Sequence, residues 1–438
     1  MEIVILDGCA AGDPFSGLLL DLTRKHGFAV RHFALSSLSM APCTGDFDCW
    51  MRTPGSCRSR DAGQDIACAM RHAGLVVLLT PVVSGGYSAA LKKAIDRLIG
   101  LIHPFFSERD GLTRHHPRYQ NYPPMLFLGV GDDIEAAATF HEYAGGNAIN
   151  LIAPRYLSRV IAPASANWQD ELASALHAAL DINAGDRFPV PLPDALMQVC
   201  TPEQTAVSEP PESAVIFIGS ARAKGCSTSE ALALTLSASL EASGTRCSLV
   251  HAKAFIKPGD AADQALDTML GAPLLIVAAP LYVDGLPYLV VSALEQLAQR
   301  LDIDRAGQRL NQLVALLNCG YPEAIHNRIA IRQLRHFAAQ QGLAWRGGLA
   351  LGGGELIHGR PLKKHRFLLR RPIRALTLAG AALARGQAIP VAAIELLARP
   401  LMPAPVFRWM SRVYWIWKAR SNGISRKDLD FKPHPEKL

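Results

Sequence analysis

Long apolar runs are missing from this chain. No uninterrupted stretch reaches the roughly 20 residues needed to cross a bilayer. The nearest candidate, 375–398, is broken by Arg385, Gln387, Pro390 and Glu395. The N-terminus shows no basic segment ahead of a short apolar one; Met1 leads straight into EIVIL, which reads as a strand and sets the expectation of a cytoplasmic protein. Cysteines do not form a paired framework. Nine of them, an odd number, are scattered over 438 residues, which suits reduced thiols better than disulfides. Charge is also sparse, at 19% of residues with a net of +7, and no nucleic-acid motif accompanies it, so no nucleic-acid partner is expected. Acids nearly vanish between 360 and 420, where thirteen Lys and Arg stand against Glu395 alone.

What is present is an alternation of buried strands and amphipathic helices. Strands are expected over 2–6, 28–35, 75–80, 125–129 and 156–162, with helices over 15–25, 61–72, 87–98, 135–147 and 168–180. Strands this apolar, spaced by helices, imply a parallel sheet covered on both faces. A proline-rich stretch then reads as a linker over 185–212. After it the pattern restarts, with strands over 214–218, 246–251, 274–279, 312–317 and 344–350. LVVLLTPVV at 75–83 corresponds to LLIVAAPLY at 274–282. The fold class expected is therefore α/β, two tandem flavodoxin-like doubly wound five-stranded parallel sheets, over 1–184 and 213–358. A basic helical extension follows over 359–438. It reads either as helices packed on the second domain with arginines in water, or as a seat for anionic lipid or an acidic partner.

The stretch AVIFIGSARAKGCSTS, 214–229, carries the most chemistry. A strand that stops at Gly219 and re-enters as a helix near Ser227 leaves free N–H groups at a helix N-terminus, where the dipole favours anions. Ser220, Ser227, Thr228 and Ser229 add hydroxyls, and Arg222 adds charge. This composition suits a loop around a phosphate monoester; an N-capping serine cluster without a ligand explains the same residues. Lys224 precedes Gly225, which excludes a Walker loop, and the three-glycine dinucleotide fingerprint is missing. In a doubly wound sheet the loops after strands one and three lie side by side. The strand-three loop APLYVDGLP makes a rigid turn on which a planar heteroaromatic ring can lie, and NCGYPE arrives from the other side.

GSARAKGCSTSEALAL, APLYVDGLP, NCGYPE and WRGGLALGGGELI resemble the flavodoxin-like NAD(P)H-dependent FMN oxidoreductases. CTGDFDCWMRTPGSC and TPVVSGGYSAALKKAIDRL in the first half are similar to the FMN reductase and iron–sulfur flavoprotein branch. The resemblance implies that Ser220, Arg222, Ser227, Thr228 and Ser229 hold the FMN phosphate. It implies that Pro280, Leu281, Tyr282, Val283 and Asp284, with Asn318, Cys319, Gly320 and Tyr321, flank the isoalloxazine. In the first half Thr80, Pro81, Val82, Ser84, Gly85, Gly86 and Tyr87 take the ring-loop role. NAD(P)H is then the co-substrate, a quinone or flavin the small-molecule acceptor, and the cofactor rather than a catalytic side chain does the chemistry. A flavodoxin-like electron carrier and a flavin-free scaffold are the other readings. Because such reductases pair with the flavin at the interface, one chain with both units is expected to act as a pseudo-dimer.

Two departures qualify that resemblance. The loop DGCAAGDPF at 7–15 lacks the serine run and carries Asp7 and Asp13, two carboxylates where a phosphate belongs. Iron–sulfur relatives carry C-x2-C-x2-C and a fourth cysteine; here Cys43, Cys49 and Cys57 remain, but Asp46 replaces the second. Four thiolates are the usual set for a [4Fe–4S] cluster, and the alternative is a loop whose cysteines pack under Trp50 and Pro54. His115-His116 reads as surface, and Asp96-Arg97 as a helix-end ion pair.

Overall fold

The computed structural model describes residues 1–202, 209–303 and 307–434. Two compact units emerge, Met1–Val190 with Arg408–Leu438, and Pro191–Phe407.

The first unit runs β1 (Glu2–Asp7), α1 (Pro14–Lys25), β2 (Ala29–Ala34), α2 (Asp48–Met51), α3 (Ala62–His72), β3 (Leu75–Pro81) and α4 (Ala89–Ile95). It continues through β4 (Ile102–Arg109), β5 (Leu112–Pro117), β6 (Met125–Val130), α5 (Ile134–Asn150), β7 (Tyr156–Ile161) and α6 (Trp168–Leu180). Its sheet has the order β2-β1-β3-β6-β7, all parallel. Ile3, Ile5, Val77, Leu79, Leu126 and Leu128 fill one core layer beneath α1 and α6, where Phe15 and Trp168 meet at 4.4 Å.

The second unit opens with α7 (Ala195–Cys200), then β8 (Ser213–Ile218), α8 (Thr228–Ala242), β9 (Arg246–His251), α9 (Asp260–Leu270), β10 (Leu274–Pro280) and α10 (Tyr288–Ile303). After these come β11 (Gln312–Asn318), α11 (Arg328–Gln340), β12 (Ala344–Leu351), α12 (Arg366–Leu383) and α13 (Val391–Ala398). The order β12-β11-β10-β8-β9 repeats the first sheet's pattern strand for strand, again all parallel. Each sheet is thus a doubly wound 2-1-3-4-5 sheet, with its reversal of order between strands one and three. Residues of β10 and β11 are buried on both faces, as continuous Leu, Val and Ala runs require.

Four features differ from the sequence reading. Residues 102–117 form an antiparallel hairpin, β4–β5, turning at Asp110-Gly111 with φ of 54° and 74°. The expected linker over 185–212 contains α7, whose Leu196, Val199 and Cys200 enter the second core; its residues 203–208 lie outside the described residues. Asp96 and Arg97 do not pair with each other. Asp96 pairs with buried Lys92, and Arg97 reaches back to Asp61 at 2.9 Å.

The fourth difference is the extension over 359–438, which is divided. Helix α12 lies on α8, where the Ser239 hydroxyl donates to the Thr377 carbonyl at 2.9 Å, and α13 covers β12. Helix α14 (Ala404–Ser421) begins in the second unit and belongs to the first from Arg408 onward. There Trp415 packs edge-on against Trp50 and Phe47, at 5.6 and 5.4 Å. The Arg118 guanidinium donates to the carbonyls of Leu429 and Phe431, at 2.8 and 2.9 Å. His115 is half-buried: its ring lies 4.9 Å from Trp50 and its Nδ1 meets the His103 carbonyl.

Candidate functional site

In the second unit the switch point is built by β8, β10 and β11. The Gly219 N–H donates to the Ala278 carbonyl at 2.8 Å, which extends the β8–β10 ladder by one residue. A Cβ at Gly219 would lie 2.4 Å from Val290 Cγ2, so only glycine lets the chain turn here. The loop then runs through Gly225 (φ 76°) to Ser227, whose extended backbone and Oγ, accepting from the Glu230 N–H at 3.1 Å, make it the N-cap of α8.

The expected cradle residues lie at the end of β8 and the start of α8. Ser220, Ser227, Thr228 and Ser229 are all buried. Asn318 Nδ2, at the end of β11, donates to Ser229 Oγ at 2.8 Å and to the Ala279 carbonyl at 3.2 Å, joining the ends of β10 and β11 to the first turn of α8. Thr228 Oγ1 donates to the Gly354 carbonyl at 2.7 Å, and Arg222 faces Glu355 at 3.4 Å.

Sequence reasoning missed Glu230. Its buried carboxylate accepts the Gly225 N–H at 2.6 Å, inside the loop. The spacing Ser227-x-x-Glu230 is a capping-box signature, and it was there to be read. Gly359 packs against the same loop, and a Cβ there would come 2.5 Å from the Cys226 carbonyl carbon.

The ring loop is held as rigidly. The Leu281 N–H donates to the Asn318 carbonyl at 2.8 Å, and Tyr282 and Gly285 exchange two backbone bonds of 3.0 and 3.1 Å. Between them Val283 and Asp284 have φ of 44° and 59°, a left-handed conformation that a β-branched residue adopts only under strain. Cys319 is buried, and that burial pushes its thiol up to about 12; its Sγ donates to the Tyr321 and Glu323 carbonyls. Tyr321 stacks near His326, ring centres 4.3 Å apart.

The first unit repeats this frame with different side chains. The Gly8 N–H donates to the Leu79 carbonyl at 2.8 Å, and Val83 and Gly86 close a turn in which Ser84 and Gly85 have φ of 48° and 76°. Two of its loop N–H groups are already taken by carboxylates. Asp7 Oδ1 accepts from the Cys9 N–H at 3.0 Å while Oδ2 meets His32 Nε2, and Asp13 caps α1 through the Phe15 N–H at 2.9 Å. Thr80 and Ser88 bond each other, Ser88 donates to the Gly8 carbonyl, and Tyr87 is buried against Tyr143. Two carboxylates thus occupy the loop where the second unit carries hydroxyls.

Cys43, Cys49 and Cys57 line one small pocket with Asp46, Arg58 and Arg97. Burial first, then Asp96, pushes the Cys43 thiol up to about 12; burial and the other two cysteines raise Cys49 as well. Asp46 spends its carboxylate on the Thr44 hydroxyl, the Asp48 N–H and Arg58. The set does not fit a four-thiolate cluster. Among the described residues no group of three or more His, Cys, Asp or Glu is placed to hold a metal ion.

The strand order defines the class: flavodoxin-like α/β, twice over. Residues 1–115 match the family model described as NADPH-dependent FMN reductase. Among solved structures, the Trp repressor binding protein from Bacillus subtilis is 16% identical, with a TM-score of 0.29 over 37% of this chain and 95% of that one. An NAD(P)H:quinone oxidoreductase from Methanothermobacter marburgensis is 11% identical, with a TM-score of 0.33 over 42% of this chain and 99% of that one. RosB, solved with 8-demethyl-8-formylriboflavin-5'-phosphate, is 16% identical, with a TM-score of 0.29 over 40% and 79%. Likenesses of this size carry no weight for function. No curated protein matches the chain.

Proposed function

We propose that this protein is an FMN-dependent oxidoreductase that takes electrons from NAD(P)H and passes them to a small acceptor such as a quinone or a free flavin. The observation that carries the reading is the meeting of Ser229, Asn318 and Ala279 at the switch point of the second sheet, beside the N-terminus of α8 and the strained 282–285 turn. The match of residues 1–115 to the reductase family model lies in the first unit and supports the activity class through that fold, which the second unit repeats.

The second unit's residues fit the cofactor. Ser220, Ser227 and Ser229 have hydroxyl hydrogens to offer, and Thr228 would have to release the Gly354 carbonyl to do so. The N–H groups of Thr228 and Ser229 in the first turn of α8 have no i−4 carbonyl within the helix. Arg222 supplies positive charge at the mouth. Leu281 to Asp284 would present backbone donors to the polar edge of the ring, and Asn318 to Tyr321 would flank it. When bound, FMN supplies the hydride and electron chemistry; the chain binds, orients and keeps water from the ring. The strained turn keeps those donors preorganised, which matters because donors already aimed at developing charge need not reorganise.

The first unit takes no FMN phosphate in this reading, because Asp7 and Asp13 fill its loop. The cytoplasm is the compartment proposed, since all nine cysteines are free thiols. No helix among the described residues is long and apolar enough to cross a membrane.

Ser227→Asp is the direct test. Aspartate is as good an N-cap as serine, so α8 remains capped, while the added carboxylate repels the phosphate. Flavin retention should be lost while the flavin-free variant stays folded; a variant that keeps its flavin would place the site elsewhere.

A further inference from the structure

Helix α14 has two apolar faces. Trp415 and Ala419 point inward, in a cluster with Trp50, Met51 and Ile102. On the other side Trp409, Met410, Val413 and Trp417 share one stripe at helical spacing, and they are 67, 39, 51 and 61% exposed. Scattered exposed apolar residues are ordinary, but two tryptophans and two aliphatic side chains contiguous on one helix face mark an interaction site.

The charges nearby say what covers it. Helix α14 carries Arg408, Arg412, Lys418 and Arg420 and no acid. Arg408 is held by Glu108 at 2.7 Å, and Arg412 lies over the Phe105 ring. Lys418 and Arg420 are exposed beside Trp417, and Arg426 and Lys427 follow, also exposed. A second copy of this face would set like charges against each other, and protein interfaces are depleted in lysine. A bilayer surface instead wants this set: indole rings at the headgroup level, aliphatic side chains just below, and Lys and Arg reaching lipid phosphates.

We propose that α14 seats the protein on an anionic membrane surface, with Trp409, Met410, Val413 and Trp417 entering the headgroup–acyl boundary and Lys418 and Arg420 meeting lipid phosphates. The helix lies in the plane of the surface and does not span it.

Vesicle flotation of the full chain tests this. At low salt the protein should float with vesicles of equal parts phosphatidylcholine and phosphatidylglycerol, and bind at least about tenfold less to phosphatidylcholine alone. Trp409→Ser with Trp417→Ser should reduce binding about tenfold or more, and Lys418→Glu with Arg420→Glu should abolish the preference for anionic vesicles. Near-ultraviolet circular dichroism, sensitive to buried Trp50 and Trp415, checks that both variants stay folded. Wild type left behind by the mixed vesicles would overturn the proposal. So would a double-tryptophan variant that binds as well as wild type, or a wild-type dimer that this variant splits, which would assign the stripe to a second copy.

Discussion

In the proposed site Glu230 would govern how a phosphate meets the second unit's loop. Its carboxylate already satisfies the Gly225 N–H, so a bound phosphate has a buried negative neighbour. Two unit charges about 5 Å apart repel by about 3 kcal/mol at an effective dielectric constant near 20. Glu230→Gln keeps an acceptor for Gly225 and removes that repulsion. Flavin titration of this variant should give a dissociation constant about tenfold lower or better, and an unchanged constant would mean that the phosphate does not lie near Glu230. Val283 makes a second prediction at this scale. Asparagine tolerates the left-handed region far better than a β-branched residue. Val283→Asn should therefore raise stability by about 1 kcal/mol in denaturant unfolding, while loosening the turn's hold on its donors.

Among the elements, the docking of the C-terminal segment onto the first unit rests on a few contacts. Trp415 is buried, and Trp415→Ala should cost about 3–5 kcal/mol in that unit's unfolding and open residues beyond 407 to protease. His103 adds a pH dependence. Burial first, and then Arg118, hold its pKa down to about 4, while exposed Asp430, bonded at 2.8 Å, pulls weakly the other way. In the unfolded chain the same imidazole titrates near 6.5. Between those values the unfolded state binds a proton that the folded state refuses, so stability is full above about 6.5 and falls as the pH drops toward 4. Melting curves across that range should show the loss in wild type and less of it in His103→Asn. These elements also mark what the sequence could convey. The inner strands of both sheets were legible because continuous apolar runs have no other stable home than a doubly covered sheet, and the exposed edge strands β2 and β9 followed from the alternation with helices. The β4–β5 hairpin was missed although Asp110-Gly111 is a strong hairpin signal, because its alternation is hidden among histidines and arginines. Helix α7 was missed because one apolar turn inside a proline-rich stretch has too little period to detect. The path of α14 was not legible at all. Its two apolar faces look alike in sequence, and only packing tells Trp415 from Trp417.

For the whole molecule, the same 2-1-3-4-5 sheet is used twice with opposite chemistry at the switch point. In the first unit Asp7 and Asp13 each accept a loop N–H; in the second Glu230 does the same, but Ser227, Thr228 and Ser229 add buried hydroxyls at the start of α8 and Ser220 another at the end of β8. The grouping of those four serines and threonines was readable from their spacing alone, whereas their link through Asn318 to β10 and β11 exists only once the sheet has formed. The reductase reading therefore stands on a division of labour between two like folds. Flavin content of the purified chain after incubation with FMN tests it most directly, alongside the Ser227→Asp variant. One FMN per chain in wild type and none in the variant is the expected result; a colourless wild type, or a variant that stays yellow, would contradict it.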